Sequence, residues 1–182
     1  MGLALNYRDA ILSPEQLELF QGANWLIDQS IHLGFKLLED DFQVGGRVLL
    51  MDPNTCGYLS LYCDDEDLDE LARGVDLAER DVVITAICDA GAGDEPRGGS
   101  HWSLIAIYGG ERYVHFDSLA PRNERVAARV ALKFARLFRC VDAALPPRPA
   151  VEQAEMPRQL NGSDCGVYVL AAARLLLRHG LS

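Results

Sequence analysis

His101-Trp102-Ser103-Leu104-Ile105-Ala106-Ile107-Tyr108-Gly109-Gly110-Glu111-Arg112-Tyr113-Val114-His115-Phe116-Asp117-Ser118 is the stretch that decides the fold. Residues 103–108 and 112–116 are rich in aliphatic and aromatic side chains, and Gly109-Gly110 stands between them. That pattern predicts an antiparallel hairpin. A turn on the two glycines pairs residues whose numbers sum to about 218 or 219. His101 then falls opposite Asp117 or Ser118. The open end of the hairpin thus brings an imidazole beside a carboxylate. Such a carboxylate can accept the ring N–H, fix the tautomer and stabilise the imidazolium. The plain alternative is two solvated polar residues at a hairpin end. His115 is the competing histidine, because it projects from the same sheet face as Asp117.

Working outward, residues 82–88 are β-branched and predict a further strand. A short strand is expected over 48–50 and another over 150–155. Ser13-Pro14 and Asp52-Pro53 read as caps followed by first-turn prolines. Asn24 is expected to cap a helix over 25–38, with Ile27, Ile31, Phe35 and Leu38 as its apolar stripe. A short helix over 67–73 should close at Gly74. Asn123 is expected to cap an amphipathic helix to about 138, burying Val126, Val130, Phe134 and Leu137. The last helix runs over 165–178, with Gly180 placed to end it. The Gly-rich loop 90–99 lacks GxGxxG spacing, so it is not a phosphate cradle. The order of elements predicts an α+β fold, with a central mixed, mostly antiparallel sheet flanked by helices. It is expected to form one domain over 1–182.

With 182 residues, a chain of this length can bury a core without disulfides or metals. Its net charge of −10 argues against nucleic-acid binding and against a polybasic membrane anchor. Nine acids against two arginines over 64–81 give −7 of that total, so the remainder is nearly balanced. A solvated segment is the favoured reading of this run, and attraction of a basic partner the alternative. A basic stretch over 122–139 offsets it, with six basic residues and one acid. No signal peptide or membrane-spanning run is legible. The five cysteines cannot all pair within the chain, which suggests a reducing compartment. A cytoplasmic or nuclear monomer is expected.

Cys165 lies in Asn161-Gly162-Ser163-Asp164-Cys165-Gly166, where the most apolar helix begins. Unpaired N–H groups and the helix dipole favour a thiolate there. Gly166 is expected to leave room for a substrate backbone. Position alone leaves an inert buried cysteine equally open. A thiolate nucleophile needs an imidazole partner, and His101 is better placed for that than His32 or His179. Gln159 could donate to an oxyanion beside the Cys165 N–H, although an exposed loop glutamine is the commoner state. Zinc on His115, Asp117 and Cys165 is not expected, because no CxxC or HExxH spacing is present.

Three strings carry a resemblance: Gly98-Gly99-Ser100-His101-Trp102-Ser103-Leu104, Phe116-Asp117-Ser118, and Gln159-Leu160-Asn161-Gly162-Ser163-Asp164-Cys165-Gly166-Val167-Tyr168-Val169. With Trp25-Leu26-Ile27-Asp28, they resemble the ubiquitin-like-protease family of cysteine peptidases, the desumoylating and deneddylating enzymes. The compact length and the Gly-Gly-Ser-His-Trp-Ser-Leu string are most similar to the deneddylase branch. The family often has Asn before the Asp of its Trp-Leu-x-Asp motif, where Ile27 stands here. The resemblance implies His101 as general base, Asp117 as its orienter, Cys165 as nucleophile and Gln159 as oxyanion donor. It implies that Trp25 and Trp102 clamp a Gly-Gly tail and that Asp28 binds near that tail. The implied partner is a ubiquitin-like modifier, the neddylation modifier first, with ubiquitin or SUMO as alternatives; no cofactor is implied. An acyltransferase with the same triad and a non-catalytic modifier-binding module are the rivals.

Overall fold

The computed structural model describes residues 5–89 and 99–179. The Gly-rich loop over 90–98 and Gly180 lie outside the described residues. In chain order the elements are β1 (Leu5–Tyr7), β2 (Ala10–Leu12), α1 (Pro14–Leu17), α2 (Asp28–Asp41), β3 (Val48–Met51), α3 (Pro53–Leu61) and α4 (Asp65–Gly74). Next come β4 (Val82–Cys88), β5 (Trp102–Tyr108), β6 (Arg112–Phe116), α5 (Glu124–Arg139), β7 (Val151–Gln153) and α6 (Cys165–His179).

The predicted hairpin is β5–β6, the middle of a five-stranded sheet of order β3-β4-β5-β6-β7. The three central strands run antiparallel, and the edge strands β3 and β7 join in parallel. The fold is therefore α+β around a mixed sheet. The expected hairpin register is corrected by one residue. Tyr108 pairs with Arg112 and Leu104 with Phe116, so paired numbers sum to 220. Glu111 joins the two glycines in a three-residue turn, and its N–H bonds to Tyr108 O at 3.0 Å. Gly109 and Gly110 both take positive φ, and a Cβ on Gly110 would lie 2.8 Å from Phe138.

Alternate sheet residues feed two cores. Val82, Ile84, Ala86, Leu104 and Ala106 pack with α2 and α6 on one face. Val83, Ile87, Ile105, Ile107 and Tyr113 pack with α3, α4 and α5 on the other. Because β4 and β5 are buried on both faces, they read as unbroken apolar runs. Burial of each such aliphatic side chain contributes about 1.5–3 kcal/mol. Residues Val126, Val130, Phe134 and Leu137 line the buried side of α5 as expected.

Several local expectations change. α2 starts at Asp28, three residues later than predicted, and Asn24 does not cap it. The Asn24 amide bonds instead to Glu18 O and Gln21 O, at 3.3 and 2.7 Å. This leaves Trp25 outside the helix. Nor does Asn123 cap α5 through its side chain, which is buried and points to the hairpin. α4 runs through Gly74 and carries a capping box at Asp64. The β1–β2 hairpin has no counterpart in the sequence pattern; it packs Ala10 and Leu12 against Leu33 of α2. The acidic and basic segments are neighbours, joined by an exposed Asp65–Arg136 pair at 3.2 Å. Pairs of that kind contribute under about 1 kcal/mol. Among the described residues, no helix is long and apolar enough to cross a membrane.

Candidate active site

Cys165 is the first residue of α6 and is buried. The Asn161 side chain holds the turn before it, accepting the N–H groups of Ser163 and Asp164 at 3.1 and 3.0 Å. Gly166 has a different use from the one predicted. A Cβ there would lie 2.8 Å from Leu26 Cβ. Glycine thus lets the Trp25-Leu26 segment lie directly against the start of the helix. Trp25 Nε1 donates to the Cys165 sulfur at 2.9 Å. Trp102 Nε1 donates to Leu26 O at 2.8 Å and fixes the same segment from the sheet side.

The hairpin end brings His101 and Asp117 together despite the register shift, with Nε2 2.6 Å from Asp117 Oδ1. His101 lies just before β5 and Asp117 just after β6, where the chains leave the ladder and side chains can close the last gap. Asp117 also accepts Leu119 N–H at 2.8 Å and Asn123 N–H at 2.9 Å. Burial opposes its ionisation, yet these three hydrogen bonds outweigh burial and lower its pKa to about 2. For His101, burial opposes the charge. Hydrogen bonding to Asp117 and the pull of Cys165 outweigh it and raise the imidazole to about 9. His101 Nδ1 is buried without a hydrogen-bond partner of good geometry. The sulfur is the group that acts on the ring besides Asp117.

Cys165 responds in turn. Burial works against its thiolate, but His101, the Trp102 backbone N–H and the Trp25 indole together lower its pKa below that of an ordinary thiol. The contrast with the other thiols is direct. Burial pushes Cys56 up to about 12, and burial first also raises Cys63 and Cys140. The chemistry available at Cys165 is therefore nucleophilic attack by a thiolate paired with an imidazolium.

Gln159 is buried, not the exposed loop residue that chemistry alone favoured. Its Oε1 accepts from Ser118 Oγ at 2.6 Å, and its Nε2 donates to Asn161 O at 2.7 Å. The amide keeps a second N–H. Trp25 and Trp102 pair at 6.2 Å between ring centroids, tilted by 32°. Asp28 does not touch the sulfur. It begins α2 and lines a cavity of about 340 Å3 with Pro53, Cys88 and Trp102.

His115, the competing histidine, is fully buried and packed between neutral partners. Its Nδ1 meets Gln153 Oε1 at 2.7 Å and its Nε2 meets Ser103 Oγ at 2.9 Å. Burial lowers its pKa, so it sits neutral. Among the described residues, no group of three or more His, Cys, Asp or Glu could hold a metal ion. Sequence reasoning missed the Trp25 N–H on the sulfur and the Asn123 amide, which donates to His101 O and Ser103 Oγ at 3.2 and 3.0 Å. The first depends on the late start of α2; the second lies at the cap position the sequence expects, but its side chain turns to the hairpin.

The C-terminal catalytic domain of the Ulp1 protease family matches residues 66–181. The chain belongs to this family. The match spans Trp102, His101, Asp117, Gln159 and Cys165, whereas Trp25 and Asp28 precede it. NEDD8-specific protease 1 of Arabidopsis thaliana is 29% identical over 175 residues, covering 94% of this chain and 74% of that protein. Human sentrin-specific protease 8 is 26% identical over 181 residues, covering 97% and 82%. The Ulp1 protease domain solved with Smt3, the yeast ortholog of SUMO, aligns at TM-score 0.76 and 17% identity, over 98% of this chain and 77% of that one. Xanthomonas campestris effector XopD, solved bound to ubiquitin, aligns at TM-score 0.66 and 18% identity, over 87% and 77%. At such identities the solved structures speak to the fold, which is that of the Ulp1 proteases. The chain is a Ulp1-family cysteine protease.

Proposed function

We propose that this Ulp1-family protease is a deneddylase, cleaving the peptide or isopeptide bond after the terminal Gly-Gly of the neddylation modifier. The observation that carries the reading is the Cys165 sulfur at the start of α6, with the His101–Asp117 pair and the Trp25 N–H around it. In this reading the thiolate attacks the glycyl carbonyl carbon and a C–S bond forms. The Cys165 N–H and the free N–H of Gln159 hold the oxyanion. The His101 imidazolium gives its proton to the amine as the C–N bond breaks, leaving a thioester. Water then gives a proton to His101 as its oxygen attacks the thioester, and the thiolate leaves. Asp117 keeps the imidazole in one tautomer throughout. No cofactor takes part.

Trp25 and Trp102 would flank the tail, where paired indoles leave space for residues without side chains. Asp28, across the cavity, would pair with an arginine of the tail, which favours the neddylation modifier or ubiquitin over SUMO. Relatives named for NEDD8 and sentrin support the modifier class. SUMO is the second reading, favoured by the Smt3 complex of the Ulp1 domain. The enzyme would act as a monomer where thiols stay reduced, in the cytoplasm or nucleus.

The test is kcat/KM on three modifiers with a fluorogenic C-terminal amide: the neddylation modifier, ubiquitin and SUMO. We expect the neddylation modifier to lead by at least about tenfold, a difference of about 1.4 kcal/mol in transition-state binding. A lead for SUMO or ubiquitin would overturn the preference. Turnover of none would overturn the peptidase reading.

A further inference from the structure

Asp89 follows β4 and is removed in sequence from every residue of the triad. Its carboxylate nonetheless gathers donors at the hairpin end much as Asp117 does. Oδ1 accepts the backbone N–H of His101 at 2.9 Å and that of Ser100 as well. Oδ2 accepts from Ser100 Oγ at 2.8 Å. The Asp89 backbone N–H returns a bond to His101 O at 3.3 Å. Arg122, from the turn after β6, reaches Ser100 Oγ at 2.6 Å and lies 3.7 Å from Asp89 Oδ2.

On the opposite side, the next residue along that turn takes hold of the same residue's carbonyl. Asn123 Nδ2 donates to His101 O, and Asn123 N–H to Asp117 Oδ2. The backbone of His101 is thus held through its N–H by Asp89 and through its C=O by Asn123. The ring is held by Asp117. A surface aspartate needed only for solubility would not collect two consecutive backbone N–H groups, a hydroxyl and a guanidinium. The carboxylate stays ionised: burial opposes this, but the Ser100 and His101 hydrogen bonds and Arg122 outweigh it and lower its pKa.

We infer that Asp89 is a positioning residue for the reaction, fixing the His101 peptide so that the imidazole bridges Asp117 and Cys165. Its Oδ1 also accepts from the neighbouring Cys88 thiol at 3.7 Å, and its effect on the reaction runs through His101. The inference rests on the reading of His101 as the general base. Without Asp89, the imidazole keeps Asp117 but loses the anchor that sets its distance to the thiol. Displacement of a catalytic group by about 1 Å can cost about 100-fold in rate.

The test pairs turnover with a titration that needs no modifier. The first readout is kcat and KM on the neddylation modifier with a fluorogenic C-terminal amide. The second is the pH dependence of Cys165 alkylation by iodoacetamide, followed by mass spectrometry of the Cys165 peptide. For Asp89→Ala we expect kcat to fall about 10- to 100-fold with KM within about twofold of wild type. The alkylation curve of the folded variant should move to higher pH, because the thiolate loses its placed imidazolium. Asp89→Asn retains one acceptor oxygen and should lie between the two in both readouts. Wild-type kcat and an unmoved alkylation curve in folded Asp89→Ala would overturn the proposal. So would a lower melting temperature with the alkylation curve unmoved, since a purely structural role predicts that. Should Asp89→Ala fail to fold, Asp89→Asn decides: wild-type values in both readouts would overturn the proposal. If wild type turns over no modifier, the deneddylase reading fails, and the alkylation curves still judge Asp89.

Discussion

The open end of the β5–β6 hairpin and the ladder just inside it each bury a histidine, and they treat it in opposite ways. At the open end His101 meets the Asp117 carboxylate and is raised to about 9. Inside the ladder His115 meets an amide and a hydroxyl, and burial lowers it. Depth of burial does not separate them, since both are almost inaccessible. The partner does. A charged acceptor keeps a buried imidazole protonated, and neutral partners leave desolvation to win. The ladder explains why the charge sits at the end. Inside the sheet each face is filled by neighbours, so a buried carboxylate would lack donors. At the end, the turn after β6 supplies the N–H groups of Leu119 and Asn123 to Asp117.

The sharpest way to break the comparison is at the thiol that the open end serves. Cys165→Ala should remove turnover entirely, while binding of the modifier, measured by calorimetry, persists. Residual turnover would mean that another group does the chemistry. Next in size is Asp117→Asn, which makes the open end resemble the neutral surroundings of His115. Loss of the charge should lower kcat/KM by about 10²–10⁴-fold. It should also move the alkaline limb of the pH–rate profile. In wild type that limb should fall at about 9, where His101 loses its proton. In the variant His101 no longer has the carboxylate that raises it, so the limb should move to lower pH. An unmoved limb would separate Asp117 from the titration.

Trp25→Phe sharpens the comparison from the sulfur side. It keeps a ring but removes the N–H on the thiolate. We expect kcat/KM to fall about tenfold, in line with one hydrogen bond to a charged group. The smallest effect on rate should come from inside the ladder. His115→Gln should leave kcat within about twofold while lowering stability by about 1–3 kcal/mol, measured by urea denaturation. His115 has a depressed pKa in the folded state. Its contribution to stability is therefore present above the unfolded value of 6.5 and is lost as pH falls through the lowered folded value. A large fall in kcat for His115→Gln would show that the histidine inside the ladder takes part in the chemistry.

Much of this was legible in the sequence because it rests on local pattern. The glycine pair between two β-rich runs marks the hairpin, and the apolar stretch after Cys165 marks α6. The convergence of His101 and Asp117 followed from the hairpin alone, since a one-residue error in register still leaves their side chains within reach. What the sequence hid depends on contacts distant along the chain. Asn24 has the chemistry of a cap, but Glu18 O and Gln21 O capture its amide. The late start of α2 then frees Trp25 to reach a sulfur 140 residues away. Gly166 looked like room for substrate, and only the position of Leu26 shows it to be a packing requirement. The strands β1 and β2 have three residues each, too few for a period to register.

One measurement tests the central claim most directly. The protein is incubated with the neddylation modifier carrying a C-terminal electrophile, and the adduct is mapped by peptide mass spectrometry. The account expects a single modifier on Cys165, with Cys56, Cys63, Cys88 and Cys140 unmodified. An adduct on any of those four, or none at all on a folded protein, would contradict it.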